Sequence, residues 1–250
     1  MNKTNDYTLA ADLIASSRHC VAFTGAGISV ESGIPTFRGP DGLWSRYDPK
    51  ILDINYFLNN PGECWRAIKE IFYDYMGTKA KPNNAHKLLA SLEKKGILKG
   101  VITQNIDGLH QAAGSKNVIE FHGTAGTLMC TSCMRKKPYD EHDLDIVPPK
   151  CGFCGGILKP DFIFFGEAIP PDAYRESIKL CENSDLLIII GTTGEIIPAS
   201  MIPYEAKNAK VIEINIENSK YTNELSDLFL RDRAGSAAKI LADLLEIDLS

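Results

Sequence analysis

Short, nearly continuous runs of Val, Ile and Leu alternate along the chain with stretches of helical spacing, and this rhythm restricts the fold more than any other feature. His19–Gly25, Leu98–Gln104, Val118–Phe121, Phe162–Phe165, Leu186–Gly191, Val211–Ile216 and Leu228–Leu230 read as strands. Leu9–Ser17, Pro61–Met76, Asn84–Lys95, Asp172–Cys181, Ala199–Lys207 and Gly235–Leu245 read as helices. A strand that is apolar on both sides can face water on neither. The pattern therefore predicts an α/β fold with a parallel sheet covered by helices on both faces. Ligands of such sheets sit outside the carboxyl ends of the strands, so the turns that follow the strands are where function is sought.

Two stretches break the rhythm: Gly33–Gly77, rich in aromatic and turn residues, and Thr124–Lys159, which holds four paired cysteines with Pro138, Pro148 and Pro149. Both read as insertions into the α/β frame. The chain then divides into a large domain (1–35, 78–123 and 160–250) and a small one built from 36–77 and 124–159. With 44% hydrophobic and 24% charged residues over 250 positions, the composition excludes a disordered or fibrous chain. A net charge of −5 argues against holding nucleic acid or an anionic membrane by bulk charge. No apolar run approaches the about 18 residues of a membrane span, and the polar N-terminus lacks the layout of a signal peptide. Three lone cysteines, Cys20, Cys64 and Cys181, suit a reducing compartment better than a disulfide framework. Together these predict a cytoplasmic protein.

The paired cysteines carry the sharpest chemistry. Cys130-x2-Cys133 and Cys151-x2-Cys154 are separated by 17 residues, the spacing of two knuckles around one tetrahedral ion. Four thiolates favour zinc over iron or a redox dithiol, and a closed shell leaves no position for water, so the site is structural. The turn Gly25-Ala26-Gly27 after the first strand admits two readings, a pyrophosphate cradle and a plain tight turn. The third glycine of the dinucleotide fingerprint is replaced by Val30, and Asp48 stands near the acidic position but in no strand, which disfavours an ordinary nicotinamide dehydrogenase. Thr103–His110 (TQNIDGLH) places amides and a carboxylate at a strand end, as site residues or as helix caps. Of five histidines, His122 alone follows a strand at its carboxyl end, where a general base is wanted. His19, His86, His110 and His142 read as packed or solvent-exposed.

The segments GAGISVESGIPTFRGPDGLW (25–44), TQNIDGLH (103–110), FHG (121–123), the two knuckles, FFGE (164–167), GTT (191–193) and INIE (214–217) occur in one order, and in that order they resemble the sirtuin family of NAD-dependent protein deacylases. The resemblance spans essentially the whole chain. It implies a large Rossmann-like domain, a small zinc-ribbon and helical module, and NAD with an acyl-lysine protein or peptide in the cleft between them. By that resemblance Gly25, Ala26 and Gly27 face the pyrophosphate, and Phe37 and Arg38 lie over the nicotinamide ribose. Asn105, Ile106 and Asp107 shape the nicotinamide pocket, and Gln104 contacts the ribose. His122 is the general base, with Asn105 the second catalytic residue. Gly191, Thr192, Thr193, Asn215 and Ile216 hold the adenosine end, while Phe165, Gly166, Glu167, Glu195 and Ile196 pair with the substrate backbone as an added strand. Zinc would be held once per chain by Cys130, Cys133, Cys151 and Cys154. The implied products are free lysine, nicotinamide and O-acyl-ADP-ribose.

The chain departs from the family pattern in three places. Thr193 stands where Ser is common, and the hydroxyl survives. Glu195 replaces an apolar residue beside the substrate strip, which favours basic peptides. Ile68 and Ile71 occupy the places of the Tyr and Arg of desuccinylating members, so the cation for a succinyl carboxylate is missing and acetyl or longer apolar groups are favoured. Protein mono-ADP-ribosylation by the same pocket is the alternative enzyme reading, and a non-catalytic NAD-sensing module is a third.

Overall fold

The computed structural model describes residues 3–37, 39, 42–75 and 80–249. Its strands are β1 (Cys20–Thr24), β2 (Leu98–Thr103), β3 (Val118–Glu120), β4 (Gly123–Cys130), β5 (Lys136–Pro138), β6 (Leu158–Phe162), β7 (Leu186–Ile190), β8 (Lys210–Asn215) and β9 (Leu228–Arg231). The α-helices are α1 (Lys3–Ser16), α2 (Ile54–Asn59), α3 (Pro61–Ile68), α4 (Asn84–Lys94), α5 (Leu109–Ala112), α6 (Pro171–Glu182), α7 (Tyr221–Glu224) and α8 (Ala234–Leu244). Six strands form one parallel sheet in the order β3-β2-β1-β7-β8-β9, and β5-β4-β6 form a separate antiparallel sheet. No helix among the described residues is long and apolar enough to cross a membrane.

The strand pleat divides the apolar runs between two cores. Cys20 and Ala22 of β1 and Leu186, Ile188 and Ile190 of β7 face α1, α4 and α8. Their neighbours Val21, Phe23, Leu187 and Ile189 face the opposite layer, which contains Cys181 of α6 and Tyr221 of α7. Each covering helix buries one stripe: Tyr7, Ala10, Ala11 and Ile14 in α1, and Ala85, Leu88, Leu89 and Leu92 in α4, the i, i+3, i+4, i+7 spacing of a half-buried helix. Alanines in α8 (Ala234, Ala237, Ala238, Ala242) bring that helix close to the sheet.

A third core joins the two insertions. Leu43, Phe57, Trp65, Ile68 and Phe72 from the first pack with Leu128, Cys130, Leu144 and Leu158 from the second. Trp65 donates its indole N–H to the Leu158 carbonyl at 2.7 Å, and the Tyr73 hydroxyl donates to the Ala125 carbonyl at 3.0 Å.

Three elements differ from the sequence expectation, each for a physical reason. The run Phe162–Phe165 is not a strand of the main sheet. Phe162 ends β6 in the small sheet, Phe164 is buried in the third core with its ring 5.2 Å from that of Phe162, and Phe165 makes one isolated bridge to Asp53. An aromatic run reads alike whichever core it fills. The helix from Pro61 is α-helical only to Ile68 and continues as a π-helix over Lys69–Tyr75, while Met76 lies outside the described residues. The wider turn lets the consecutive residues Ile71, Phe72 and Tyr73 all be buried. The stretch Ala199–Glu205 is 3-10 rather than α, with Pro203 inside it removing an N–H donor.

Gly123 joins β3 to the small sheet with φ +74°, and a Cβ there would lie 2.2 Å from the Asp161 carbonyl oxygen. Gly123→Ala is expected to destabilise the protein by about 2 kcal/mol or more, read as a lowered midpoint in urea. An unchanged midpoint would show that this crossing tolerates a side chain.

Candidate active site

The sheet reverses its winding direction between β1 and β7, and the turns at that switch point are stitched together by backbone. Gly25 N–H donates to the Ile190 carbonyl at 3.0 Å, Gly27 N–H to Gly191 at 2.8 Å, and Gly191 N–H to Ile214 at 3.0 Å. The contact tolerates no side chain: at Gly191, where φ is +63°, a Cβ would lie 2.4 Å from the Ile28 nitrogen, and at Gly27 one would lie 2.7 Å from the Gly191 Cα. Thr192 ties two further strand ends to this seam. Its hydroxyl accepts from Gln104 Nε2 at 3.0 Å and its carbonyl from Asn215 Nδ2 at 3.0 Å. Gly25, Ala26, Gly27, Gln104, Gly191, Thr192 and Asn215 thus lie along one crevice, while Thr193 and Ile216 are exposed beside it.

A pocket open to solvent lies next to this seam. Ala26, Phe37, Asn105, Ile106 and Asp107, all singled out in the sequence, line it together with Ser29, Ile34, Pro35 and Phe72, which are not. Arg38 lies outside the described residues. Asn105 is 7% exposed and donates from Nδ2 to Ser29 Oγ at 3.1 Å. The Ser29 hydroxyl donates to Asp107 Oδ2 at 2.7 Å, and the other oxygen of Asp107 accepts the Leu109 N–H at 3.0 Å at the start of α5. Asp107 thus takes the first N–H of α5 and lies in the pocket wall. Phe72, delivered by the π turn, faces Phe37 with ring centroids 6.4 Å apart and closes the apolar side.

His122 is not a lining residue of this pocket. It reaches the same strand end through backbone, with Nδ1 3.1 Å from the Gln104 carbonyl, one residue before Asn105. A carbonyl can only accept, so Nδ1 carries the proton and Nε2 presents a lone pair. Burial holds the imidazole below its ordinary pKa, partly offset by the Gln104 carbonyl. The ring is therefore neutral at pH 7, the state a general base needs.

The two strips assigned to substrate are anchored separately. Phe165, 48% exposed, donates its N–H to Leu52 at 2.8 Å and accepts from the Ile54 N–H at 3.0 Å, with Gly166 and Glu167 following. Thr193 is held by the Lys220 N–H at 3.0 Å and Gly194 packs on the Tyr221 ring, which presents exposed Glu195 and half-buried Ile196. Ile68 and Ile71 are both buried.

The four knuckle sulfurs lie within 4.8 Å of one another. Cys130 Sγ is 3.5 Å from Cys154 Sγ, and Cys133 Sγ is 3.8 Å from Cys151 Sγ. Tetrahedral zinc with ordinary Zn–S bonds sets sulfurs about 3.8 Å apart, so these residues fit the ion. The Cys133 and Ser132 N–H groups both donate to Cys130 Sγ at 3.4 Å and hold its thiol down at about 6, favouring the thiolate a metal needs.

Sequence reasoning left His86 and His110 as packed or exposed, and the structure makes them support for the site. Both are wholly buried, their rings meeting edge to face at 4.9 Å. Asn83 brings His86 inward, capping α4 while its Nδ2 donates to the Ile28 carbonyl at 2.7 Å. His86 Nε2 lies 3.5 Å from Ser29 Oγ, and His110 Nε2 lies 3.0 Å from Thr24 Oγ1. A capping residue before an apolar helix is the one local signal that could have flagged His86.

Burial pushes His86 down to about 4 and His110 down to about 3, the latter also through its neighbour His86. Unfolded, each titrates near 6.5. Above that pH both states are neutral. As pH falls toward 4 the unfolded chain takes up protons that the native state refuses, and each imidazole removes up to about 1.4 kcal/mol of stability per pH unit. His110→Gln should flatten the fall in unfolding free energy between pH 6.5 and 4.5 by about one proton's worth, measured by denaturant titration. Equal slopes in the two proteins would refute this account.

A family model described as the Sir2 family matches residues 25–198. NAD-dependent protein deacylase 2 of Pyrobaculum aerophilum is 47% identical over 243 residues, covering 93% of this chain and 93% of its own. A solved Sir2 homologue–NAD complex is 38% identical with a TM-score of 0.87, covering 97% of this chain and 94% of that one. A Sir2–p53 peptide–NAD+ complex is 36% identical with a TM-score of 0.86, covering 97% and 98%. With its sheet order, switch-point seam and four-cysteine cluster, the chain belongs to the Sir2 family.

Proposed function

We propose that this protein is an NAD-dependent deacylase that removes acetyl and longer apolar acyl groups from protein lysines, with peptide chains as its partners and neither nucleic acid nor membrane among them. The observation that carries the reading is the pairing of a buried Asn105–Ser29–Asp107 triad with a neutral His122 whose Nδ1 is spoken for by the Gln104 carbonyl. A sensing module needs a pocket but no oriented base. In this reading the large domain comprises 1–35, 78–123 and 160–250, and the cytoplasm, which suits its lone reduced thiols, is its location.

NAD supplies the nicotinamide leaving group and the ribose that receives the acyl group. Gly25, Ala26, Gly27 and Gly191 offer a crevice floored by backbone, which a pyrophosphate can approach without meeting a side chain. Gln104, Thr192, Thr193, Asn215 and Ile216 hold the ribose and adenosine portions, and Phe37 covers the nicotinamide ribose. Asn105 and Asp107 orient the nicotinamide amide, while Phe37, Phe72 and Ile34 exclude water from the bond that breaks. With NAD bound, His122 Nε2 would accept the proton of a ribose hydroxyl, and that oxygen would take the acyl group as its bond to the lysine nitrogen breaks and the amine leaves protonated. Phe165, Gly166 and Glu167 on one side and Glu195 and Ile196 on the other receive the substrate backbone as an added strand. Zinc on the four cysteines pins the β4–β6 sheet that carries one of these strips.

His122→Ala should fold normally and lose about 10²–10⁴-fold in kcat/KM, followed as nicotinamide release from acetyl-lysine peptide. Turnover near wild type would remove His122 from the mechanism. Labelled NAD identifies the reaction: label in free acyl-ADP-ribose is expected, and label on protein would indicate ADP-ribosyl transfer instead. Exposed Glu195 favours cations beside the acyl-lysine, so a Lys-flanked peptide should exceed a Glu-flanked one in kcat/KM by about 3–10-fold at low salt, the gap shrinking as salt screens it. Equal values would discharge Glu195 from any role in selectivity.

A further inference from the structure

We propose that Lys159, a residue given no part in the reaction above, is a positioning residue that sets the Phe164–Glu167 strip against the peptide substrate. The proposal rests on the deacylase reading for its kinetic consequence but not for its geometry. Lys159 lies on β6 with its side chain only 3% exposed. Removing an ammonium from water costs several kcal/mol unless it is paired and fully hydrogen-bonded, and here the pairing is complete. Its three N–H donors meet three oxygens: the Pro160 carbonyl at 2.9 Å, the Phe162 carbonyl at 2.9 Å and Glu167 Oε2 at 3.1 Å. The face of the Phe164 ring lies 4.6 Å from the same nitrogen.

What the ammonium holds is a closed turn. Glu167 Oε2 also accepts the Phe164 N–H at 2.8 Å, and the Glu167 N–H donates to the Phe164 carbonyl at 3.0 Å. The carboxylate thus sits inside the turn, gripped by backbone on one side and by Lys159 on the other. Phe165 projects from the turn, fixed by its bridge to Asp53. At its other end the segment is bonded to the base, because the Ile163 N–H donates to the His122 carbonyl at 2.8 Å. One buried cation therefore fixes the span between the general base and the strip offered to substrate. The crevice for NAD, built from the ends of β1, β2, β7 and β8, makes no use of it. Without the ammonium the Glu167 carboxylate would leave the turn for water, and the strip would lose its set position while the crevice kept its own.

The test compares Lys159→Met and Lys159→Arg with the wild type in the full zinc-loaded chain. Lys159→Met should raise KM for an acetyl-lysine peptide about tenfold or more, leave kcat within about threefold, and leave the Kd for ADP-ribose within about twofold. Lys159→Arg, which keeps the charge, should recover part of the loss. Hydrogen exchange supplies a readout independent of catalysis: the Phe164 and Glu167 amides should exchange about tenfold faster in Lys159→Met, with β7 protection unchanged. If Lys159→Met does not fold, Lys159→Gln, which removes the charge but keeps an amide donor, should show the same split and the same faster exchange. An unchanged peptide KM, or equal losses in peptide and ADP-ribose binding, would overturn the proposal. A wild-type chain without NAD-dependent deacetylation would instead sink the deacylase reading, and the exchange result would still stand or fall by itself.

Discussion

Everything in the nucleotide crevice depends on the contact between Gly27 and Gly191, where two backbones meet with no room for a side chain. A parallel sheet wound outward in both directions from β1 and β7 leaves a gap at their carboxyl ends. Here the turns approach closely enough to hydrogen-bond across it, with Gly27 N–H on the Gly191 carbonyl, so the groove floor is peptide. The same contact fixes where Ser29 begins the pocket wall, because the 3-10 turn Ala26–Ser32 starts from it.

Behind that wall lies a polar network sunk into a large apolar core. Thr24, Ser29, His86, Thr103, Asn105 and His110 are all buried, and they stand within hydrogen-bond reach of one another in a chain that ends on Asp107. Burial of so many polar groups is tolerable because nearly every one has a partner, although His110 Nδ1 has none. The network keeps Asn105 and Asp107 in fixed rotamers, so the pocket is formed before a ligand arrives and little ordering is left for binding to supply. It also makes the protein acid-sensitive, because neutral buried imidazoles are favourable only while the unfolded chain is neutral too.

The small module works by the opposite logic. Beside a core that holds Phe57, Trp65, Phe72 and Phe164, its three-stranded sheet carries four cysteines that fit a metal, and a bound ion would add its stability to that packing. The turn Phe164–Glu167 emerges where this module meets the main sheet, and a buried lysine, a carboxylate and the backbone of His122 tie it to the end of β3. The placement couples two sheets with separate cores through a handful of directional bonds.

The amino-acid pattern alone determined the parallel sheet, the covering helices, the four-cysteine cluster and the order of the segments that carry the family resemblance, because strand pleat, helix period and ligand spacing are local properties that survive without a fold. It also placed Asn105, Asp107 and His122 at strand ends. The tertiary structure decided what depends on two distant segments meeting. Phe162–Phe165 went to the third core rather than the main sheet, since an aromatic run carries no mark of which core it will fill. The π turn that delivers Phe72 arose from packing on two sides at once. Ser29, His86 and His110 became site residues only when α4 was capped against the first glycine turn, 55 residues away at its closest bond. Nothing in the sequence singles out Lys159, and its burial goes with Glu167 and two carbonyls converging on it. Local periodicity fixes an element's type, whereas the partner of a polar side chain is fixed by how elements dock, and most of this site is made of such partners.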